Sequence, residues 1–252
     1  MIGRGLPRQV AKRATQTLSP AANRWLRRRR QRFAADPAVG AVALGSLGRT
    51  EPIARGFGTM RGGTVVDRVY VERFLGANRA AIRGDVLEVG DDTYSRAFGE
   101  AGCRVNVLSI DSASGAHLVA DLSAPETLPA DAYDCVICTQ TLQFTREPAA
   151  AARGLARLLR PGGVLLVTVP GISQVSRYDD ERWGDRWRFT ARAARELFES
   201  AFVLGNVDVR AHGNVLAAAA LLYGLVVEDL PSGTLDSDDA DYPVIVSVLA
   251  RL

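Results

Sequence analysis

The sequence predicts an α/β domain built on a seven-stranded, mostly parallel sheet flanked by helices. From Arg83 onward, short apolar runs alternate with segments of helical periodicity, which is the pattern of β-α-β units. The run at residues 164–169 is apolar throughout, as expected for a strand buried on both faces. Two further runs near the C terminus predict the strands that close the sheet.

Each predicted element follows from a local pattern. Five strands are expected at residues 85–90, 104–110, 117–120, 133–138 and 164–169, and two closing strands at 203–210 and 244–250. Helices are expected at 67–74, 94–101, 147–159, 190–200 and 215–227. Thr190 is a predicted N-cap, and the Arg-Pro-Gly-Gly run at 160–163 is expected to end the third helix.

Basic charge is concentrated at the N terminus. Residues 1–35 hold ten basic and no acidic residues, which leaves 21 basic against 28 acidic residues in the rest of the chain. We therefore predict a basic extension over residues 1–59, partly disordered or helical, and a folded α/β domain over 60–252. The acidic body argues against a nucleic-acid partner. An alternative role for residues 1–35 is contact with an anionic membrane surface or partner.

Several classes of protein are disfavoured by composition. We find neither a run long enough to span a membrane nor the apolar core of a signal peptide, and we expect a cytoplasmic protein. Cys135 and Cys138 lie three apart on a predicted strand, so they should point to opposite faces and cannot grip one metal. With Cys103 they are expected to be reduced thiols, and no metal site is predicted.

The strongest motif is a strand that ends in Glu88 and Gly90, followed 21 residues after Gly90 by Asp111 at the end of the next strand. In such sheets a ligand lies over the carboxyl ends of the strands, where an acid can accept hydrogen bonds from ribose hydroxyls. This geometry serves nicotinamide dinucleotides and S-adenosylmethionine alike. The turn after Gly90 lacks the other dinucleotide glycines and carries two carboxylates, which favours a cationic ligand over a pyrophosphate.

The chain resembles bacterial class I S-adenosylmethionine-dependent methyltransferases of the methyltransferase type 11 family, including a subgroup found with sugar-modifying and glycosyltransferase genes. The resemblance runs from about Gly45 to the C terminus. It rests on segments 86–95, 134–143, 159–163, 170–178 and 183–190, with tail segments 213–215 and 241–244. It implies a Rossmann-like class I methyltransferase fold over 60–252 and S-adenosylmethionine as cofactor. The expected acceptor is an O or N atom of a sugar or glycosylated natural product, as in secondary metabolism.

The resemblance also implies roles for residues at the ends of the strands. Glu88, Gly90 and Asp91 would shape the cofactor turn, Asp111 would bind ribose, Asp121 and Leu122 would hold adenine, and Thr139 and Gln140 would lie beside the methionine moiety. Asp121 has an alternative role as a helix or turn cap.

Upstream of the first strand, the helix at 67–74 is a candidate cover for the cofactor. Arg68 or Tyr70 would contact the cofactor carboxylate. The alternative is a packing helix with its apolar residues turned inward.

The acceptor site is predicted in the polar, aromatic segment 176–190. Candidate binding residues are Arg177, Tyr178, Trp183 and Trp187, because aromatic faces and flanking charges suit a polyhydroxylated ring. Asp179 or Asp185 would take a hydroxyl proton. The alternative role of the segment is a structural lid. An imidazole can act as a base near neutral pH, so His117 and His212 are candidates, although a lone histidine is more often structural; His212 is kept as a catalytic candidate.

Two other functions remain open from sequence. One is a nicotinamide-dependent oxidoreductase on a similar sheet. The other is a non-catalytic methyltransferase-like protein that assembles through the apolar helix at 215–227. The oligomeric state is not predicted.

Overall fold

The computed structural model describes residues 37, 39–202 and 206–252 of the chain. The chain divides into two compact units, with the boundary between Thr50 and Glu51. The described part of the first unit contains a short 3-10 helix, Gly45–Leu47. The basic residues 1–35, for which a membrane or partner contact was predicted, lie outside the described residues.

The second unit contains a seven-stranded sheet, as predicted. The strand order is β3-β2-β1-β4-β5-β7-β6. Strands β1 to β5 are parallel, and β7 runs antiparallel to both β5 and β6. The strands are β1 Asp85–Val89, β2 Arg104–Ser109, β3 Leu118–Val119, β4 Tyr133–Thr139, β5 Leu159–Pro170, β6 Val207–His212 and β7 Ile245–Arg251.

Helices cover both faces of the sheet. They are α1 Val66–Ala77, α2 Thr93–Phe98, α3 Pro148–Leu158, α4 Arg177–Arg182, α5 Ala191–Glu199 and α6 Val215–Tyr223. Helices α3 and α5 bury Leu155 and Phe198 in the core of one face. Helices α1, α2 and α6 form the core of the other face, where Leu75 and Leu221 are buried.

Alternation along β4 distributes its side chains between these two cores. Cys135 and Ile137 belong to one core, whereas Val136 and Cys138 belong to the other. Both cysteines are buried free thiols, and burial raises the pKa of each to about 12. Among the described residues, no cluster of His, Cys, Asp and Glu side chains is suited to hold a metal ion.

Among the described residues, two element boundaries differ from the prediction by four residues or more. Helix α6 ends at Tyr223, and not at 227, because Gly224 adopts a left-handed conformation with φ of 68° that breaks the helix. Strand β5 begins at Leu159, since the Arg-Pro-Gly-Gly run continues into the strand and Leu159 pairs with Tyr133. The predicted start of β6 at residue 203 falls on residues 203–205, outside the described chain.

Residues 53–65, which we call the strap, pack against the end of α6. The backbone N–H groups of Ile53 and Ala54 donate to the carbonyl of Tyr223 at 2.9 and 3.2 Å. Gly58 lies so close to Gly224 that a Cβ atom on Gly58 would be 2.6 Å from the Gly224 oxygen. The strap therefore belongs with the sheet-bearing unit. Nowhere in the described ranges does a helix combine the length and apolarity needed to cross a bilayer.

Candidate functional site

A cavity of about 930 Å³ lies over the carboxyl ends of the parallel strands. The residues that follow β1, β2 and β4, namely Gly90, Ile110 and Gln140, line it. Strand β1 has β2 on one side and β4 on the other, so the connections diverge here and leave a crevice between the strand ends. The walls of the cavity come from the strap, the first turn of α1 and residues 173–188.

The buried side chain of Glu88 holds the turn after β1 in place. Its side chain is 2% exposed, and its two carboxylate oxygens accept hydrogen bonds from the backbone N–H groups of Tyr94 at 3.0 Å and Ser95 at 2.7 Å. Burial raises the pKa of Glu88, although these hydrogen bonds oppose the shift. The carboxylate thus ties the start of α2 to the sheet and sets the path of the residues between them.

Gly90 leaves open space at the floor of the cavity because it has no side chain. Its φ of 102° lies in the region that disfavours side chains, and its N–H donates to the Leu108 carbonyl at 2.9 Å. A Cβ atom at this position would meet nothing within 4 Å. The backbone is therefore exposed to any ligand in the cavity. Next to it, Asp91 lines the cavity while one of its oxygens accepts from the Thr93 N–H at 2.9 Å.

Two acids predicted to bind the nucleoside act as local caps. Asp111 is not among the residues that line the cavity. Its Oδ1 accepts a hydrogen bond from the Ala113 N–H at 2.8 Å. Asp121 lines the cavity, and its Oδ1 accepts from the Ser123 N–H at 2.8 Å. Ile110, 58% exposed, and Leu122 also line this end. A contact between Asp111 and ribose stays a prediction.

Thr139 and Gln140 line the cavity at the end of β4. Gln140 has a φ of 48°, which is uncommon for a residue with a side chain, and its N–H donates to the Thr168 carbonyl at 2.8 Å. Gln143, which sequence reasoning missed, donates from Nε2 to the Gln140 carbonyl at 2.8 Å. Its buried Oε1 has no hydrogen-bond partner within the described structure. Both glutamines therefore line the cavity at this turn, with the Gln143 amide buried and bonded to the backbone.

The two candidates on α1, Arg68 and Tyr70, lie in different environments. Arg68 lines the cavity, donates to the Tyr94 hydroxyl and has its guanidinium 5.4 Å from the centroid of that ring. Tyr70 is 2% exposed in the core, and its ring stacks 6.3 Å from that of His212. Burial raises the pKa of Tyr70 to about 12. Arg68 faces the cavity, whereas Tyr70 takes the packing role that was the alternative.

Residues 173–189 form a lid segment at the other end of the cavity. Of the predicted acceptor residues, Trp183 lines the cavity, whereas Arg177, Tyr178 and Trp187 are absent from its walls. Tyr178 is 62% exposed, with the Arg182 guanidinium 3.4 Å from its ring centroid. Trp187 donates from Nε1 to the Thr145 carbonyl at 2.8 Å, which fastens the lid to the turn after β4.

Two aspartates of the lid line the cavity but differ in their partners. Asp185 pairs with Arg188 at 2.6 Å and accepts the Ser176 N–H at 2.9 Å. Burial would raise the pKa of Asp185, but the hydrogen bonds from Arg188 and Ser176 outweigh it, and the pKa is lowered. The carboxylate of Asp179 has no partner among the described contacts. Asp179 is therefore free to interact with a ligand, whereas Asp185 holds the lid together.

Arg186 joins the lid to the turn after β4. Its Nη1 donates to the carbonyls of Phe144, Trp183 and Gly184 at 2.6, 2.5 and 2.9 Å. The rings of Trp183 and Phe144 also pack with centroids 5.7 Å apart. These contacts place the lid beside Gln143.

The histidines occupy structural positions. His212 is not among the cavity-lining residues; its Nε2 lies 2.7 Å from the Ser247 hydroxyl and its Nδ1 3.6 Å from Asp238. Burial lowers the pKa of His212, and Asp238 opposes that shift. His117 accepts the Val107 N–H on its Nδ1 at 3.1 Å. The geometry does not bring His212 to the site.

Many of the lining residues had no predicted role. Among them are Phe57, Thr59, Gln143 and Arg146. The first two lie in residues that we assigned to the extension. Glycines on both sides of Phe57 were the available sequence signal for a special backbone there.

Comparison with known proteins places the chain in a family. Residues 57–204, more than half of the 252, match the family model described as a methyltransferase domain. A search of curated proteins gave no match.

Three solved structures show a similar overall fold. A SAM-dependent methyltransferase from Archaeoglobus fulgidus is 11% identical, with a TM-score of 0.49, over 77% of this chain and 96% of that one. One from Mesorhizobium loti is 16% identical, with a TM-score of 0.49, over 74% and 100%. The (4+2)-cyclase SpnF is 17% identical, with a TM-score of 0.48, over 76% and 83%. On the family match, which spans the turn at Gly90 and the end of β4, the chain belongs to the methyltransferase-domain family.

Proposed function

We propose that the protein transfers a methyl group from S-adenosylmethionine to an O or N atom of a small polar acceptor, such as a sugar or glycosylated metabolite. The observation that carries this proposal is the cavity over the diverging strand ends, with the bare backbone of Gly90 on its floor. The family match supports the reaction class. The donor and the acceptor are inferences from the chemistry of the cavity.

The cavity residues fit a cationic nucleoside. Asp67, Asp91 and Asp121 supply carboxylates around it, and Ile110 and Leu122 supply apolar surface for a base. The turn after Gly90 has acidic side chains where a pyrophosphate would need donors, which argues against a nicotinamide dinucleotide. A volume of about 930 Å³ is near the top of the range of roughly 300–1,000 Å³ for ligand pockets, so a donor and an acceptor both have room.

The chain's own contribution to such a reaction is positioning. When bound, S-adenosylmethionine supplies a methyl group activated by its sulfonium, so the acceptor needs alignment more than it needs a strong base. Gln140 lines the cavity beside the lid, and Gln143 supports it by donating to its carbonyl. Asp179 is the best placed of the three predicted catalytic residues to accept a hydroxyl proton, because Asp185 is paired with Arg188 and His212 lies elsewhere.

The lid supports a hydroxylated acceptor. Trp183 gives an aromatic face, and Asp179 and Arg146 give an acceptor and donors of hydrogen bonds along the same wall. This combination suits a sugar ring. The open cavity around Gln140 also supports an enzyme over a non-catalytic assembly protein.

Calorimetric titration with S-adenosylhomocysteine and with NADH tests the proposal. We expect the first to bind and the second not to bind. Gly90→Val should abolish the binding, because its side chain would enter the cavity from a strained backbone. Binding of NADH alone, or an unaffected Gly90→Val, would overturn the proposal.

Asp111 is tested in the same titration. Asp111→Ala should weaken binding of S-adenosylhomocysteine by about 1.5–3 kcal/mol if the free carboxylate oxygen meets the ribose. Asp111→Asn keeps an acceptor for the Ala113 N–H and should cost less. Equal affinities of all three proteins would remove Asp111 from the site.

A further inference from the structure

One wall of the cavity is apolar and has no assigned ligand. It belongs to the core shared by the strap, α1, α6 and the start of β7. Its members are Phe57, Val65, Val71, Leu221, Val244 and Ile245. Phe57 and Val65 are half-buried and stand in front, whereas the other four are at most 2% exposed and form the floor behind them. These six residues are called the apolar wall.

The backbone at Phe57 is held in an unusual conformation. Its φ is 60° and its ψ is 14°, a left-handed conformation that is costly for a bulky residue. Such strain persists only where surrounding contacts enforce it, and it clusters at ligand sites. At Phe57 the strained backbone carries an aromatic ring that lines the cavity.

Contacts on both sides of Phe57 enforce this conformation. Before it, the N–H groups of Ile53 and Ala54 bond to the end of α6. Immediately after it, Gly58 is pressed against Gly224. Further along, Arg61 pairs with Asp229. The strap is thus fixed to the body of the domain, and the ring of Phe57 is a built part of the wall.

We infer that the acceptor is amphipathic, with an apolar group that lies against the apolar wall while its polar end faces the lid. This inference rests on the proposed function and narrows its substrate class. A bare sugar would satisfy the lid but leave the exposed parts of Phe57 and Val65 in contact with water. A sugar or other polar head joined to a flat or branched apolar group would cover both, and burial of that group supplies binding energy. Phe57 is then a specificity-determining residue of the acceptor site.

Binding of the fluorescent apolar probe 1-anilinonaphthalene-8-sulfonate tests the inference. The full chain, saturated with S-adenosylhomocysteine, should bind the probe saturably with a rise in fluorescence. Phe57→Ala should weaken this binding at least about fivefold through the lost aromatic surface. Val65→Thr, which nearly keeps the volume and adds a hydroxyl, should weaken it in the same direction.

Leu222→Ser is the matched control. Leu222 is 41% exposed on α6 and is not among the residues around the cavity, so its replacement should leave probe affinity unchanged. Absence of saturable binding, affinity unchanged in both wall variants, or loss of binding in Leu222→Ser would overturn the inference. S-adenosylhomocysteine affinity, measured on the same samples, should stay within about twofold across all variants, since no side chain of the wall lies within 4 Å of a Cβ atom placed on Gly90. If the parent protein does not bind S-adenosylhomocysteine, the proposed function is overturned instead.

Discussion

The two ends of the cavity are held in place by different kinds of contact. At the end of β1, every one of these contacts uses a backbone N–H group: Gly90 donates to Leu108, and the buried Glu88 carboxylate accepts from two N–H groups of the next helix. In the lid, long side chains make most of the anchoring contacts, because Arg186 and Arg188 bind carbonyls and Asp185. The first end is therefore tied directly to the sheet, whereas the lid depends mainly on a few replaceable side chains.

This difference suits the two tasks that we propose. A donor common to many reactions can be held by backbone geometry that tolerates little change. An acceptor is specific to one reaction, and a wall made by side chains can be changed one residue at a time. The following substitutions test this contrast.

The largest effect is expected at Glu88. Glu88→Leu leaves the N–H groups of Tyr94 and Ser95 buried without partners, which should lower the free energy of unfolding by about 2–4 kcal/mol. Urea unfolding followed by circular dichroism measures it. Glu88→Gln retains one acceptor and should lose about half as much. A stability of Glu88→Leu equal to that of the parent would show that the turn is not held by this carboxylate.

An intermediate effect is expected at Asp185. Asp185→Asn removes the charge that faces Arg188, whose side chain is 26% exposed against 3% for Asp185, and should cost about 1–2 kcal/mol after allowance for solvent. The pKa of Asp185 lies below its ordinary value of 3.8, so the pair stabilises the fold above that pH and this stability is lost as the pH falls through the lowered pKa.

Asp179→Asn is the control for this change. Its carboxylate has no described partner, so unfolding should stay within about 0.5 kcal/mol of the parent while methyl transfer falls. If Asp179→Asn were the more destabilising of the two, the roles of the lid aspartates would have to be exchanged.

The smallest effect is expected at Trp187. Trp187→Phe keeps an aromatic ring but removes the hydrogen bond to the Thr145 carbonyl, and should cost about 0.5–1 kcal/mol. Hydrogen exchange should quicken in residues 173–189 and stay unchanged at β1. Faster exchange at β1 as well would contradict the independence of the two ends.

Sequence patterns predicted the sheet end of the site better than the lid. The apolar runs of β1, β4 and β5 have a period set by the fold, and Glu88 and Gly90 follow directly from the end of β1. Contacts between arginine side chains and carbonyls leave no such pattern, so the anchoring by Arg186 was not predicted.

Local hydrogen bonds and distant contacts account for the remaining differences. Asp111 and Asp121 accept hydrogen bonds from N–H groups two residues later, a common local contact of aspartate that competes with ligand binding. In sequence, an aspartate that makes this contact cannot be distinguished from one that binds a ligand. Phe57 was assigned to the extension because Gly224, against which the adjacent Gly58 packs, is far away in the chain. Tyr70 and Arg68 lie two apart on one helix, and only packing decides which of them faces the cavity.

The contact between Gly58 and Gly224 bears on how the protein can be shortened or recombined. Replacing Gly224 by alanine would drive the new methyl group into the carbonyl of Ala54, so the strap would have to lift from α6. A chimera joined at residue 60 would discard Phe57 while keeping every strand of the sheet. Such a chain should fold and still recognise the donor, yet lose its choice of acceptor, which makes this junction the place to exchange selectivity between relatives.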